Sequence, residues 1–250
     1  MKPLWEELNL QLEALYKEER YPEALQVAHR ALQVARHSYF DGHPNVAIAM
    51  NSLAAVHKSQ CDYEDAAVLY RQALTIQRKA FGGKHAEVAS TMNNLASIYK
   101  KQGNYEEAET LHKEALAIRE HLFGQGHLQV AASLNNLAVL YDSWRKLDQA
   151  TRLYQRAIDV IERDLGPSHP KVATALNNLA GIYKTRGLYE DAEPLYKRAL
   201  SIRKARYGQE HPSVTAILKN LRTLYQRSGE LERAIRKYEK RAKEVQAKSK

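Results

Sequence analysis

The chain has 250 residues, 44% hydrophobic and 27% charged, which is enough apolar material for a core and too much for a disordered chain. Its formal net charge of +9 favours acidic partners, and Cys61, the single cysteine, excludes an internal disulfide and fits a reducing, cytoplasmic setting. Nowhere does an apolar run reach the 18 residues of a membrane span, and Met1 to Tyr16 has no unbroken apolar stretch, so no signal peptide is expected.

Displaced by 42 residues, the sequence aligns with itself. Asn9, Asn51, Asn93, Asn135 and Asn177 keep this step, with Lys219 in the sixth place. So do His43, His85, His127, His169 and His211, and Ala24, Ala66, Ala108, Ala150, Ala192 and Ala234. Six units, about 1–42, 43–84, 85–126, 127–168, 169–210 and 211–250, account for the chain as one domain.

In the first unit, Trp5 is expected to close the end of the stack. In the second, Cys61 falls in a turn between two helices; no basic cluster or partner thiol stands beside it to suggest redox chemistry. The third unit shows the pattern most clearly. Val88, Met92, Leu95, Ala96 and Tyr99 recur at three- and four-residue steps, one face of a helix A. Gly103 and Asn104 break it. A helix B follows through Tyr105, Ala108, Leu111, His112, Ala115 and Leu116, and Gly124 is expected to end it in a left-handed conformation. In the fourth unit, Trp144 takes the turn position held by Gln60, Gln102 or Arg186 elsewhere, and packing against the next unit's loop is expected. The pairs His169-Pro170 and His211-Pro212 start new helices, because proline suits a first turn and disfavours helix in the residue before it. Beyond Leu231 the charges Arg233, Arg236, Lys237, Lys240, Arg241, Lys243, Lys248 and Lys250 suit a solvated capping helix.

One helix pair of this size cannot bury its apolar face alone, and small residues such as Ala66, Ala73, Ala108 and Ala115 let helices A and B approach. The expected fold is all-α: a right-handed superhelix, or α-solenoid, of about six antiparallel helix pairs with one concave face.

These residues resemble the tetratricopeptide repeat family, whose Leu, Gly/Ala, Tyr, Ala, aromatic and Ala marks fall on Leu95, Ala96, Tyr99, Ala108, His112 and Ala115. The 42-residue unit, with LNNLA in helix A and YEEAE…ALAIRE in helix B, is similar to the repeats of kinesin light chains. That family's heptad segment for a motor heavy chain has no counterpart here, so the resemblance implies a peptide-binding groove rather than motor attachment. It places Ser90, Asn93, Ser97, Lys100 and Lys101 of the third unit on the groove. By equivalence the implied groove set is Asn51, Asn93, Asn135, Asn177, Lys58, Ser97, Lys100, Lys101, Lys184, Lys219 and Arg227. The chemistry is coherent, since an asparagine amide donates and accepts at once and can pair with a peptide backbone. Helix pairs stacked about 10 Å apart would place one asparagine at about every third residue of an extended strand. The lysines would select acidic side chains, with Asp142 and Ser143 interrupting the basic pattern in the fourth unit. The second asparagines, Asn94, Asn136 and Asn178, are expected to tie neighbouring helices.

Several function classes are disfavoured. Histidines one unit apart cannot converge at the ~2 Å that zinc requires, so helix capping or loop packing is expected of them and no metal or cofactor is assigned. No GxSxG, phosphate-binding loop or carboxylate pair suggests an enzyme. The expected function is therefore a non-enzymatic scaffold or adaptor that binds a short, acidic peptide of a protein partner, with no small-molecule substrate. The alternative is a binder of nucleic acid or an anionic surface through the basic groove and C-terminal helix, though no nucleic-acid-reading motif is present.

Overall fold

A computed structural model describes residues 4–229. The charged segment beyond Leu231 lies outside the described residues. Eleven helices and no strand occur among those residues: α1 (Leu4–Lys17), α2 (Tyr21–Ser38), α3 (Pro44–Ser59), α4 (Tyr63–Phe81), α5 (Ala86–Gln102), α6 (Tyr105–Phe123), α7 (Leu128–Ser143), α8 (Leu147–Leu165), α9 (Pro170–Thr185), α10 (Tyr189–Tyr207) and α11 (Pro212–Ser228). Odd numbers are A helices and even numbers B helices. The all-α class and the consecutive helix pairs expected from the sequence are what the structure shows. None of the described helices is long and apolar enough to cross a membrane.

The chain forms two compact units, residues 1–144 and 145–250. In the first, each of α1 to α6 packs on the next, and α5 also touches α7. In the second, α8 packs on α9, α9 on α10 and α10 on α11, and α9 also touches α11. The first unit's interior is built on the two apolar stripes of each pair. Val46, Met50, Leu53 and Val56 of α3 meet Ala28 and Leu32 of α2. Val88, Met92, Leu95 and Ile98 of α5 meet Tyr70, Leu74 and Ala115. Ala66, Ala73, Ala108 and Ala115 are fully buried, so the helices approach where a larger side chain would force them apart.

Both connections repeat. In the A–B turn one residue is left-handed, and the step of 42 places there Glu19, Cys61, Gly103, Arg145, Gly187 and Gly229, with φ between 58° and 83°. The next amide then reaches back to a helix carbonyl: Asp62 to His57, Asn104 to Tyr99 and Leu188 to Tyr183, each at 2.9 Å. The B–A connection differs from expectation. Gly82, Gly124, Gly166 and Gly208 have φ of 79–84° but ψ of 158–172°, which is not left-handed helix. This is the mirror of extended backbone, open essentially to glycine alone, and it turns the chain away from helix B at once.

The histidine ladder then caps each A helix. Nδ1 of His43, His85, His127, His169 and His211 accepts the backbone N–H two residues on, at 3.1–3.2 Å. A ring acceptor here does the work usually left to Ser or Asp. Four of the rings also stack on an aromatic residue at or just past the end of the previous B helix, His43 on Tyr39, His85 on Phe81, His127 on Phe123 and His211 on Tyr207, with centroids 4.4–4.8 Å apart. Trp144 packs too: its ring stacks at 5.6 Å on Tyr105, the first residue of α6.

Candidate functional site

The sequence-derived groove set maps to the A helices of both units. In the first unit Asn51 and Lys58 lie on α3, Asn93, Ser97, Lys100 and Lys101 on α5, and Asn135 on α7. In the second, Asn177 and Lys184 lie on α9, and Lys219 and Arg227 on α11. Lys101, Lys219 and Arg227 are exposed, whereas Lys58, Ser97, Lys100 and Lys184 are half-buried.

The asparagines are engaged within the protein. Asn51 Nδ2 donates to Thr91 Oγ1 at 2.8 Å, and Asn93 Nδ2 to Ser133 Oγ at 3.3 Å, each joining one A helix to the next. Asn93 is only 5% exposed, and its Oδ1 accepts from His112 Nδ1 at 2.6 Å. In the second unit Asn177 Oδ1 accepts from Asn220 Nδ2 at 3.0 Å. Helix tying expected of the second asparagines is thus performed by the first at Asn51 and Asn93. The signal was a step of 40 residues: a hydroxyl stands there for Asn51 (Thr91) and Asn93 (Ser133), while Ala175 and Ile217 stand there for Asn135 and Asn177.

Around Asn93 lies a buried polar cluster that the sequence reading did not find. Arg119, on α6, donates from Nη1 to Ser133 Oγ at 2.9 Å and to the Gln129 carbonyl at 3.2 Å, and from Nη2 to Ser90 Oγ at 3.1 Å. Burial weakens its hold on its proton, as it does for any cation withdrawn from water. Burial, and then the charge of Lys100, push His112 down to about 4, so the ring is neutral at neutral pH. Another grouping was also missed: His57, Asp62 and Asp65 place possible ligand atoms within 4.8 Å of one another. There His57 Nδ1 bonds Asp62 Oδ2 at 2.8 Å and ties the end of α3 to the start of α4.

Two features of the A-helix face are suited to a ligand. One is a cavity of about 530 Å³ between α1 and α3, lined by Trp5, Leu12, Tyr16 and Ile48 with Asn9, Glu13, Lys17, Ser52 and Ala55. Asn9, Glu13 and Lys17 are the first-unit counterparts of Asn93, Ser97 and Lys101. The other is electrostatic. Burial, then the neighbouring Lys101 ammonium, hold the Lys100 ammonium below its ordinary range, and Asp142 offsets this only in part. Lys184 is lowered in the same way, by burial first and then by Arg227, and lies 5.7 Å from the centre of the Tyr196 ring. Both lysines end their A helices, where a cation also meets the negative end of the helix dipole.

The repeat geometry, helix pair after helix pair with a constant step, is that of one family, and its profile matches residues 13–79, 68–121, 87–163, 145–205 and 171–243. The chain belongs to the tetratricopeptide repeat family. Its 42-residue units are of the kinesin light chain-like kind. Among solved structures it is similar to BtubC (BKLC) from P. vanneervenii, at 30% identity and a TM-score of 0.70, over 83% of this chain and 82% of that one. The nearly identical TPR-like repeats of kinesin light chain type from Podosopora anserina share the fold at 20% identity and a TM-score of 0.69, over 83% of this chain and 99% of that one. A search of curated proteins finds no match. Tetratricopeptide repeats act in general as scaffolds for protein interaction.

Proposed function

We propose that this protein is a non-enzymatic adaptor whose A-helix face binds an extended, acidic peptide segment of a protein partner. The observation that carries the reading is the pair of half-buried ammoniums, Lys100 and Lys184, each held below its ordinary range by burial and by a neighbouring cation. A carboxylate placed against either one relieves that repulsion and restores a partner to a charge drawn out of water. The exposed Lys101, Lys219 and Arg227 extend the same preference along α5 and α11. Lys58, half-buried one repeat before Lys100, adds a further charge, the small half-buried Ser97 leaves room for a side chain, and the apolar cavity between α1 and α3 accepts a bulky one. Asn135, half-buried on α7, remains the asparagine best disposed to pair with a peptide backbone, since Asn51, Asn93 and Asn177 already bond within the protein.

The test is fluorescence anisotropy with acidic, neutral and basic peptides of equal length, each containing one tryptophan. The acidic peptide should bind, and Lys100→Ala with Lys184→Ala should weaken it by about tenfold or more, each substitution removing a charge-assisted contact from its own unit. Equal binding of the three peptides, or an unaffected double variant, contradicts the proposal.

A further inference from the structure

We infer that the second unit carries a separate binding site, at the Gly166–Pro170 loop, for a phosphorylated side chain of a peptide partner. A cavity of about 750 Å³ opens there, lined by residues of the loop, the first turn of α9 and the last turns of α10. Its eleven lining residues include three cations, Lys171, Arg203 and Arg206, and no carboxylate. Ser168 and Thr174 add hydroxyls. Arg203 is held in place: Nη2 donates to Thr174 Oγ1 at 2.6 Å, and the guanidinium lies 5.6 Å from the centre of the Tyr207 ring. Of the two carboxylates just before the loop, Glu162 is paired with Arg198 at 2.5 Å and the exposed Asp164 is not among the lining residues; Arg198 also donates to the Pro167 carbonyl at 3.1 Å.

Side chains, not the helix end, make this site. The first amides of α9 are already used, Lys171 N–H on His169 Nδ1 at 3.2 Å and Val172 N–H on the His169 carbonyl at 2.9 Å, and Pro170 has none. Three unopposed cations in one concavity suit a group of about two negative charges with three acceptor oxygens better than a single carboxylate. Guanidinium forks match those oxygens two at a time. Nor does the charge continue along the unit. One repeat earlier Ile161 and Asp164 stand where Arg203 and Arg206 stand, so the site offers one phosphate position and not the track of positions that a nucleic-acid backbone needs.

Calorimetry would test this with a phosphoserine heptapeptide flanked by alanine and glycine, its unphosphorylated twin, and an RNA pentamer. Lys171→Ala with Arg206→Ala serves as the variant, both residues being exposed, and Arg203 is left in place. The phosphopeptide should bind and the twin should not. Inorganic phosphate should compete, and the variant should bind at least about tenfold more weakly while melting at the same temperature. Equal binding of the twin, an unchanged Kd in the variant, or RNA binding more tightly than the phosphopeptide would overturn the inference. Because the residues differ from Lys100 and Lys184, failure here leaves the acidic-peptide face standing, and the reverse also holds.

Discussion

The helix pairs α5–α6 and α9–α10 follow one backbone plan and fill it with different chemistry. Where the second has Tyr196, fully packed at 1% exposure, the first has His112 at 2%. Ile217 of the second unit corresponds to Ser133 of the first, and Arg203, half-buried beside a cavity, corresponds to Arg119, buried at 9%. The first pair therefore closes on a network of Asn93, His112, Arg119, Ser90 and Ser133, and the second on an apolar interior with one amide pair, Asn177 and Asn220. Burial of the tyrosine is the ordinary way to fill this column. The smaller histidine adds a polar edge, which is tolerated because Asn93 accepts its hydrogen bond. A repeat fold thus leaves each column free to change chemistry, provided that every change is answered by a neighbour.

Acid should separate the two pairs most strongly. His112 titrates near 4 in the folded protein against 6.5 for an ordinary histidine, so below pH 6.5 the unfolded chain takes a proton that the folded one refuses. Stability should be full above about pH 6.5 and fall by about 3 kcal/mol as the pH drops to about 4. Urea melts across that range check it, and His112→Tyr, which copies the Tyr196 pair, should flatten this part of the loss. Next, Asn93→Ala removes the partner of both His112 and Ser133 and should cost about 2–3 kcal/mol, whereas Asn177→Ala removes one half-buried bond and should cost about 1 kcal/mol. Equal costs in chemical denaturation would show that the two interiors do not differ as described. The smallest effect sharpens the comparison at the turns. Arg145 holds at φ 63° the left-handed position that glycine holds in α9–α10, so Arg145→Gly should raise stability by about 0.5–1 kcal/mol. Gly187→Ala should lower it by a similar amount, both read from melting curves.

Much of this architecture is legible in the sequence, because a period of 42 is a physical statement: each turn and each cap must recur where its geometry recurs. Helix bounds, the Gly103 turn and the capping histidines follow from residue chemistry alone. The B–A glycines were placed correctly but given the wrong conformation, since glycine composition signals a positive φ and says nothing of ψ. What stayed hidden was register between neighbouring A helices. The two asparagines of the Asn93-Asn94 pair look alike in the chain, and packing shows that Asn93, like Asn51, bonds a hydroxyl 40 residues on. Arg119 reads as one more surface charge until three acceptors from α5, α7 and the α7 N-terminus are seen around it. The depressed lysines, too, depend on burial that no spacing reveals.

The most direct measurement follows the Lys100 and Lys184 ammonium groups by NMR titration, in the free protein and with the acidic peptide bound. Both groups should start below the ordinary lysine range and move upward on binding, with proton uptake near the upper end of the titration. A neutral peptide should leave them unmoved. If the acidic peptide binds tightly while both lysines titrate as in the free protein, its charge lies elsewhere and the A-helix face of α5 and α9 is not its site.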